Sequence, residues 1–199
     1  MEKRSMKKDN EITLPTTSEI EELYKKAKYR KLFTEKIRST VFMLIVVAAF
    51  AILVAMLYLP TLRIYGKSMK GTLDSGDVVL TVKSNHFRTG DIVAFYYNNN
   101  ILVKRVIAES GDWVNITKDG TVYVNSKKIK EPYIEHKSYG ETNIKFPYQV
   151  PENRIFVLGD NRSVSIDSRN TSVGTVSDEQ LVGKLIFRIW PLSDIGTLN

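Results

Sequence analysis

Cysteine is absent from this chain of 199 residues, and histidine occurs only twice. The lack of cysteine excludes disulfide bonds and any thiol nucleophile. His86 and His136 each lie in a polar stretch with no partner motif, so a Ser-His-Asp triad has little support in the sequence. Carboxylates without histidine or cysteine at ligand spacing are also a weak basis for a metal site. The composition therefore indicates a protein that works without a metal or other cofactor.

Charge is absent from the segment Val41 to Leu59. At about 1.5 Å per residue, its 19 residues would reach roughly 28 Å as a helix, close to the hydrocarbon thickness of a bilayer. A long charged stretch precedes this segment, and Pro60 follows it with no small-residue cleavage site, which favours a retained anchor over a cleaved signal peptide. The sequence therefore predicts one transmembrane helix over residues 39–59.

Positive charge is concentrated before this helix. Residues 1–38 carry 11 Lys or Arg and 7 Asp or Glu, whereas the remaining residues of the chain, whose net charge is +7, carry 18 and 15 and are only +3 in sum. This asymmetry predicts a cytoplasmic N-terminus at the inner surface of the cell membrane, with residues 60–199 outside the cytoplasm. The remaining basic residues are scattered among acidic ones without an aromatic-interleaved stripe, which argues against nucleic-acid binding.

Residues 1–38 are predicted to form a charged cytoplasmic tail. Residues 1–17 are polar and are predicted to be disordered. Ser18-Glu19-Ile20-Glu21 fits a capping box, and an apolar stripe follows it, so a juxtamembrane helix is expected to begin there.

Beyond Pro60 the pattern changes to short β-type runs bounded by turn residues. The runs are Val78 to Val82, Ile92 to Tyr97, Ile101 to Ile107, Thr121 to Val124, Arg154 to Leu158 and Leu185 to Trp190. Asn98-Asn99-Asn100 is typical of a hairpin turn. The polar stretch Glu131 to Pro151 is expected to be a surface excursion. Residues 60–199 are therefore predicted to form one mainly antiparallel β domain.

Ser68 follows the apolar segment closely, inside the stretch Gly66 to Leu73. Gly66-Lys67-Ser68 matches the end of a phosphate-binding loop, but Thr61 stands where that motif needs its first glycine. The sequence therefore argues against nucleotide binding. Taken alone, Ser68 would be interpreted as an ordinary polar loop residue, so a catalytic role depends on a partner that can accept its proton.

Lys104 is the candidate partner. Alternation along Ile101 to Ile107 places Lys104 on one face and Arg105 on the other, and both faces are otherwise apolar. Arginine keeps its proton when buried, whereas desolvation lowers the pKa of lysine towards neutrality. A neutral amine can act as a general base for a serine. The alternative is that Lys104 simply extends along a sheet edge to reach solvent.

The stretch Gly159 to Arg169 is dense in hydrogen-bond donors and acceptors. A hydroxyl such as Ser165 beside Lys104 would fix the direction of the amine. The alternative is a polar turn held by Asp-Arg pairs.

Together these stretches resemble the bacterial type I signal peptidases, membrane-bound Ser-Lys peptidases that cleave signal peptides from exported proteins. The resemblance runs from the membrane helix to about Pro191. The family's motif boxes G-x-S-M-x-P-T-L, G-D-I-V-x-F, V-K-R-V-I, G-D-N-R-x-x-S-x-D-S-R and V-G-K correspond to Gly66–Leu73, Gly90–Phe95, Val103–Ile107, Gly159–Arg169 and Val182–Lys184.

This resemblance implies that Ser68 is the nucleophile, Lys104 the general base, and Ser165 the residue that orients the lysine. Asp167 would pair with Arg169 behind them, and the Ser68 backbone N–H would donate to the oxyanion. The box positions of Gly66, Met69 and Asp160 make them further supporting residues. Some members carry a hydroxyl where this chain has Gly66, so a second oxyanion donor would come from elsewhere.

The resemblance also implies the partners. Preprotein signal peptides would bind as an added strand with small residues in shallow pockets, and the lipid bilayer would hold the site near its outer surface. Secretion machinery is a further candidate partner. Three departures from the family pattern predict an altered rate or substrate preference: Gly71 in place of proline, Ala108-Glu109-Ser110 in place of G-L-P, and a longer link at Asn170 to Val173.

Three other functions compete with the peptidase. The first is a non-catalytic assembly factor for surface fibres or pili with the same fold, which retention of both Ser68 and Lys104 opposes. The second is a self-cleaving Ser-Lys repressor, which the membrane helix opposes. The third is a plain anchored β domain that binds surface ligands.

Overall fold

A computed structural model of the protein describes residues 16–58, 60–84 and 86–198. The chain divides after Val54 into a helical unit and a β-rich unit. Most of the segment predicted to be disordered, residues 1–15, lies outside the described residues, whereas Thr17 already belongs to a helix.

One helix, α1, runs without a break from Thr17 to Tyr58. It is long and apolar enough to cross a membrane, as judged by length and composition. The N-terminal boundary lies earlier than the predicted capping box at Ser18. The Ile20 N–H donates to the Thr16 carbonyl over 3.1 Å, and the Thr16 N–H donates to Glu19 Oε2 over 2.9 Å. Thr16 and Glu19 have the same spacing as a capping box, so this pair caps the helix.

The β-rich unit is mainly antiparallel, as predicted. Its strands are β1 Thr61–Arg63, β2 Val78–Val82, β3 Ile92–Tyr97, β4 Asn100–Ala108, β5 Trp113–Ile116, β6 Val122–Val124, β7 Lys127–Lys128, β8 Tyr148–Gln149, β9 Arg154–Leu158, β10 Val176–Ser177, β11 Leu181–Trp190 and β12 Gly196–Thr197. Single 3-10 turns occur at Asp178–Gln180 and Leu192–Asp194.

These strands form two sheets. The larger has the order β1-β2-β11-β3-β4-β9-β10, with β12 paired to β11, and the smaller has the order β7-β6-β5-β8. All pairings are antiparallel. The predicted β3–β4 hairpin is present, with Tyr97 opposite Asn100 and Asn98 at a φ of 47°. Asn100 lies in β4, so the turn is one residue shorter than predicted.

The central strands are buried on both faces. Ile92 and Ala94 of β3 belong to a cluster with Ile64, Met69 and Leu73, whereas Val93 and Phe95 belong to a second cluster that includes Val106. The two faces of β3 and β4 therefore support different parts of the core. This arrangement makes Lys104 and Arg105 the two buried cations of β4, at 3% and 1% exposure.

Half of β4 keeps a free edge. Strand β3 pairs with β4 from Asn100 to Arg105, but β9 pairs with the other side of β4 only from Arg105 to Ala108. Among the described strands, none pairs with the Asn100–Lys104 half on that second side. The backbone N–H and C=O groups that point to that second side are available to a bound chain.

Candidate active site

Ser68 and Lys104 are in direct contact. Ser68 lies in the loop between β1 and β2, Lys104 lies in β4, and the Lys104 Nζ is 2.8 Å from the Ser68 Oγ. Burial lowers the pKa of Lys104 to about 8, with a smaller lowering effect from Arg169, whereas the carboxylates of Asp167 and Asp160 act in the opposite direction. Neutral amine is therefore accessible near physiological pH.

Core packing on one side holds the Ser68 loop. Met69 and Leu73 are 2% and 1% exposed, and the Leu73 N–H donates to the Met69 carbonyl over 2.8 Å. The loop closes where the Ile64 N–H donates to the Asp77 carbonyl over 2.8 Å. Gly66 has a φ of +94°, a conformation that favours glycine. Met69 and Gly66 therefore shape the loop.

The stretch Gly159 to Arg169 holds the loop from the other side. The Asn161 N–H donates to the Ser68 carbonyl over 3.0 Å, and the Asn161 Nδ2 donates to the Lys67 carbonyl over 3.1 Å. Asn161 was not singled out among the site residues predicted from the sequence, although it lies in the same motif. A signal was available, because an asparagine can donate hydrogen bonds from both its backbone N–H and its side-chain amide to a neighbouring loop.

Asp167 and Arg169 form the predicted pair, fully buried at 0% exposure each. Arg169 Nε and Nη2 donate to Asp167 Oδ1 and Oδ2, both over 2.8 Å. Asp167 Oδ2 also accepts from the Gly159 N–H over 3.0 Å. The two bonds of this pair, together with the further hydrogen bond, offset the free-energy cost of removing both charges from water.

Arg105 forms a buried ion pair with Asp160. The Arg105 Nε and Nη2 donate to the Asp160 carboxylate over 2.9 and 2.8 Å, and the Thr72 Oγ1 donates to Asp160 Oδ2 over 2.6 Å. The guanidinium carbon also lies 3.9 Å from the centre of the Tyr133 ring. This network joins β4 to the Ser68 loop through Thr72, a contact that the sequence did not predict.

Ser165 differs from its expected arrangement. It is buried, but its Oγ makes no hydrogen bond within the described part of the chain, so the predicted bond to Lys104 is not formed. The Lys104 amine is directed at Ser68 instead, and the Ser165 side chain lies against the Cα of Gly159. The orienting role of Ser165 stays a prediction.

Neither histidine lines a cleft that contains Ser68 and Lys104. His86 lines a separate cleft with Arg88 and Asp178, and His136 is exposed. Over residues 16–58, 60–84 and 86–198 there is no cluster of three or more His, Cys, Asp or Glu side chains that could hold a metal ion.

Two clefts meet at Ser68 and Lys104. The first, of about 550 Å³, lies between β1 and the free half of β4 and is lined by residues 62–66, 68, 69 and 99–104. The second, of about 570 Å³, is lined by residues 66–68, 97, 102, 104, 164, 166, 172 and 173. Because both reach the same hydroxyl, a bound chain could present one of its bonds to Ser68 while it occupies both.

A family model described as signal peptidase, peptidase S26, matches residues 37–190. The chain belongs to this family. It is 38% identical over 151 residues to signal peptidase IB of Staphylococcus aureus, covering 66% of this chain and 78% of that protein. It is 37% identical over 147 residues to thylakoidal processing peptidase 1, chloroplastic, of Arabidopsis thaliana. That match covers 65% of this chain and only 41% of the plant protein.

A signal peptidase I of Enterococcus faecalis V583 is similar among solved structures, at 30% identity and a TM-score of 0.43. The match covers 50% of this chain and 97% of the bacterial one. Membership in the signal peptidase family confirms the resemblance inferred from the motif boxes, and it does not favour the fibre-assembly alternative.

The backbone at Gly71 has a conformation that proline, the family's usual residue at this position, cannot adopt. Its φ is +105°, and an added Cβ would lie 3.3 Å from the Tyr133 carbonyl oxygen. Proline requires a φ near −65°. We expect Gly71→Pro to lower the free energy of unfolding by more than about 1 kcal/mol, measured by urea unfolding of the detergent-solubilised chain. A rise in stability would show that the loop tolerates the family's proline.

Proposed function

We propose that this protein is a membrane-anchored serine endopeptidase that removes signal peptides from exported preproteins, with Ser68 as nucleophile and Lys104 as general base. The observation that carries the proposal is the 2.8 Å separation between the Lys104 Nζ and the Ser68 Oγ. A serine hydroxyl is a weak nucleophile until a neighbouring group takes its proton. Lys104 suits that role because its burial favours the neutral amine.

In the proposed reaction, neutral Lys104 accepts the Ser68 proton while the Ser68 oxygen attacks the carbonyl carbon of the scissile bond. The Ser68 backbone N–H donates to the oxyanion that forms. The ammonium of Lys104 then protonates the leaving amine, which releases the mature protein and leaves an acyl-enzyme. Lys104 next takes a proton from water, and the water oxygen attacks the ester carbon. As the bond from that carbon to the Ser68 oxygen breaks, the Lys104 ammonium returns the proton to the Ser68 oxygen, which frees the signal peptide and regenerates the enzyme.

The shape of the first cleft supports the proposal that the substrate is a peptide. Its walls are β1 on one side and the free half of β4 on the other, so an extended chain can add as a strand and satisfy the backbone groups of Asn100 to Lys104. Buried Ile64 and Met69 lie beside Ser68. This apolar floor suits a small side chain at the residue before the cut.

The N-terminal helix supports the proposal that the substrate reaches the enzyme at a membrane. Cations precede its apolar part, which favours a cytoplasmic N-terminus and an extracytoplasmic peptidase domain. The proposed boundaries, 1–38 for the tail, 39–59 for the membrane span and 60–199 for the peptidase domain, follow from the same charge pattern. Signal peptides are themselves membrane-spanning segments, so enzyme and substrate would meet in one bilayer.

The decisive experiment is cleavage of a preprotein by the purified full chain in detergent micelles, with the product N-terminus read by mass spectrometry. We expect a single cut after a small residue at the end of the signal peptide. A matched preprotein with tryptophan at that residue should not be cut. Cleavage of both preproteins, or of neither, would contradict the proposal.

The pH dependence follows from the lowered pKa of Lys104. Because the pKa is about 8 rather than 10.5, the neutral amine is the minor form below pH 8 and the major form above it. We expect kcat/KM to rise about tenfold per pH unit below pH 8 and to level off above about pH 9. The assay uses one peptide whose own groups do not titrate in this range.

Circular dichroism at each pH provides the control that the enzyme stays folded. A flat profile between pH 6 and 9 would contradict Lys104 as the base, and so would an inflection near the ordinary pKa of lysine.

A further inference from the structure

The second cleft has an apolar lining that plays no part in the proposed chemistry. Five of its lining side chains have apolar surfaces: Tyr97, Leu102, Val164, Ile166 and Val173. Val164 and Ile166 are 58% and 53% exposed, on either side of the buried Ser165. Bulky β-branched side chains at two such positions beside a candidate nucleophile form an apolar surface open to a ligand. We call this space the side cleft.

The side cleft and the first cleft lie on opposite faces of the same piece of β4. Leu102 packs with the cluster that contains Val93 and Phe95, and Val93 and Phe95 are the cross-strand partners of Lys104 and Leu102. Val103 packs instead with the cluster that contains Ile64 and Met69. Successive side chains of β4 therefore point to opposite faces of the sheet, and residues 102 and 104 lie where the two clefts meet.

The side cleft also runs along the same length of β4 as the first cleft. It extends from Lys104 past Leu102 to Tyr97, which is the cross-strand partner of Asn100. The first cleft covers Asn99 to Lys104. Both clefts therefore receive the same segment of a bound peptide, on the same side of the cleaved bond.

An extended peptide at the free edge of β4 alternates its side chains between these faces. If the small residue at the cut points into the first cleft, its predecessor points into the side cleft. We propose that the side cleft binds the side chain of the second residue before the cleaved bond and selects a bulky apolar one there. This inference rests on the proposed peptidase function.

The expected effect is a preference at one substrate position. Enclosure of a leucine side chain by apolar walls is worth about 10-fold or more in kcat/KM over alanine, as for other apolar pockets. Charge at that position should be disfavoured, because an aspartate would lose hydration against Val164 and Ile166.

The test uses the full chain in detergent and one parent peptide with alanine fixed at the cut. One series varies the second residue before the cut among alanine, leucine, phenylalanine and aspartate, and another varies the residue after the cut in the same way. We expect leucine and phenylalanine to exceed alanine by about 10-fold in the first series only, with aspartate lowest. A preference confined to the second series overturns the assignment, and so do equal rates throughout.

Variants test which side chains cause the preference for a bulky apolar residue at that substrate position. In V164S/I166S, the leucine-to-alanine ratio at the second residue should fall from about 10 towards 1. Leu192 and Ile195 are also exposed, and L192S/I195S provides a matched control that should keep the ratio. An unchanged ratio in V164S/I166S overturns the inference, and the wild-type series decides alone if that variant does not fold. If the wild-type enzyme cuts no peptide, the proposed peptidase function is wrong. If it cuts all peptides of the first series at equal rates, only the proposal that the side cleft selects the second residue is wrong.

Discussion

Replacing Lys104 with methionine is expected to lower kcat/KM for signal-peptide cleavage by at least about 10³-fold. Methionine fills a similar volume and suits the buried position, but it cannot accept a proton. Ser68→Ala should cause a loss of similar size, because nucleophile and base act as one unit and either removal disables both. Initial rates on one preprotein, measured side by side with the wild type, give the comparison.

Matched controls come from the same loop. Lys70 and Ser75 are exposed, so Lys70→Met and Ser75→Ala change the same residue types without touching the contact. Both should stay within about threefold of the wild type, since surface substitutions have small effects. If Lys104→Met or Ser68→Ala retains a rate within tenfold of the wild type while folded, the dyad assignment is wrong.

Gly159→Ala is expected to lower kcat/KM by at least about 10²-fold and to destabilise the fold by about 1–3 kcal/mol. An added Cβ would stand 2.6 Å from the Ser68 carbonyl oxygen and 2.6 Å from the Ser165 Cβ. The backbone of Gly159 does not require glycine, because its φ lies outside the left-handed region. The clash must therefore move the Ser68 loop, the Ser165 side chain, or both.

Gly183→Ala separates lost stability from lost geometry. Its Cβ would lie 2.6 Å from the Val82 carbonyl oxygen, where β11 and β2 meet, so a similar clash arises in another part of the sheet. We expect a comparable loss of stability with kcat/KM of the folded enzyme retained. Gly196→Ala, with no atom within 4 Å of the added Cβ, should change neither. Equal kcat/KM in Gly159→Ala and Gly183→Ala would show that Gly159 does not position Ser68.

The unequal roles of Lys104 and Arg105 illustrate how far local sequence reasoning extends. Alternation in a strand with two apolar faces predicted that both cations would be buried on opposite sides, and each is at most 3% exposed. The partner of Arg105 could not be predicted in the same way. Asp160 lies 55 positions along the chain, and the pair forms only because β4 and the stretch after β9 are neighbours.

Ser165 shows the converse case. Its place in a motif predicted a hydrogen bond to Lys104, but a motif specifies residue types and not side-chain directions. In the structure the lysine amine contacts Ser68, and the Ser165 Oγ has no partner among the described residues. Rotamers of short polar side chains depend on all of their neighbours, so this detail belongs to the packed fold.

The sequence by itself determined the apolar helix, most of the long strands and the chemical types of the site residues, because these depend on local periodicity and on side-chain chemistry. Only the tertiary structure decided that Ser68 and Lys104, 36 positions apart, lie 2.8 Å from each other. Only it left one edge of the Asn100–Lys104 half of β4 without a partner among the described strands, next to two clefts. The physical reason is that such contacts follow from strand order and pairing register, in which β11 inserts between β2 and β3 from late in the chain.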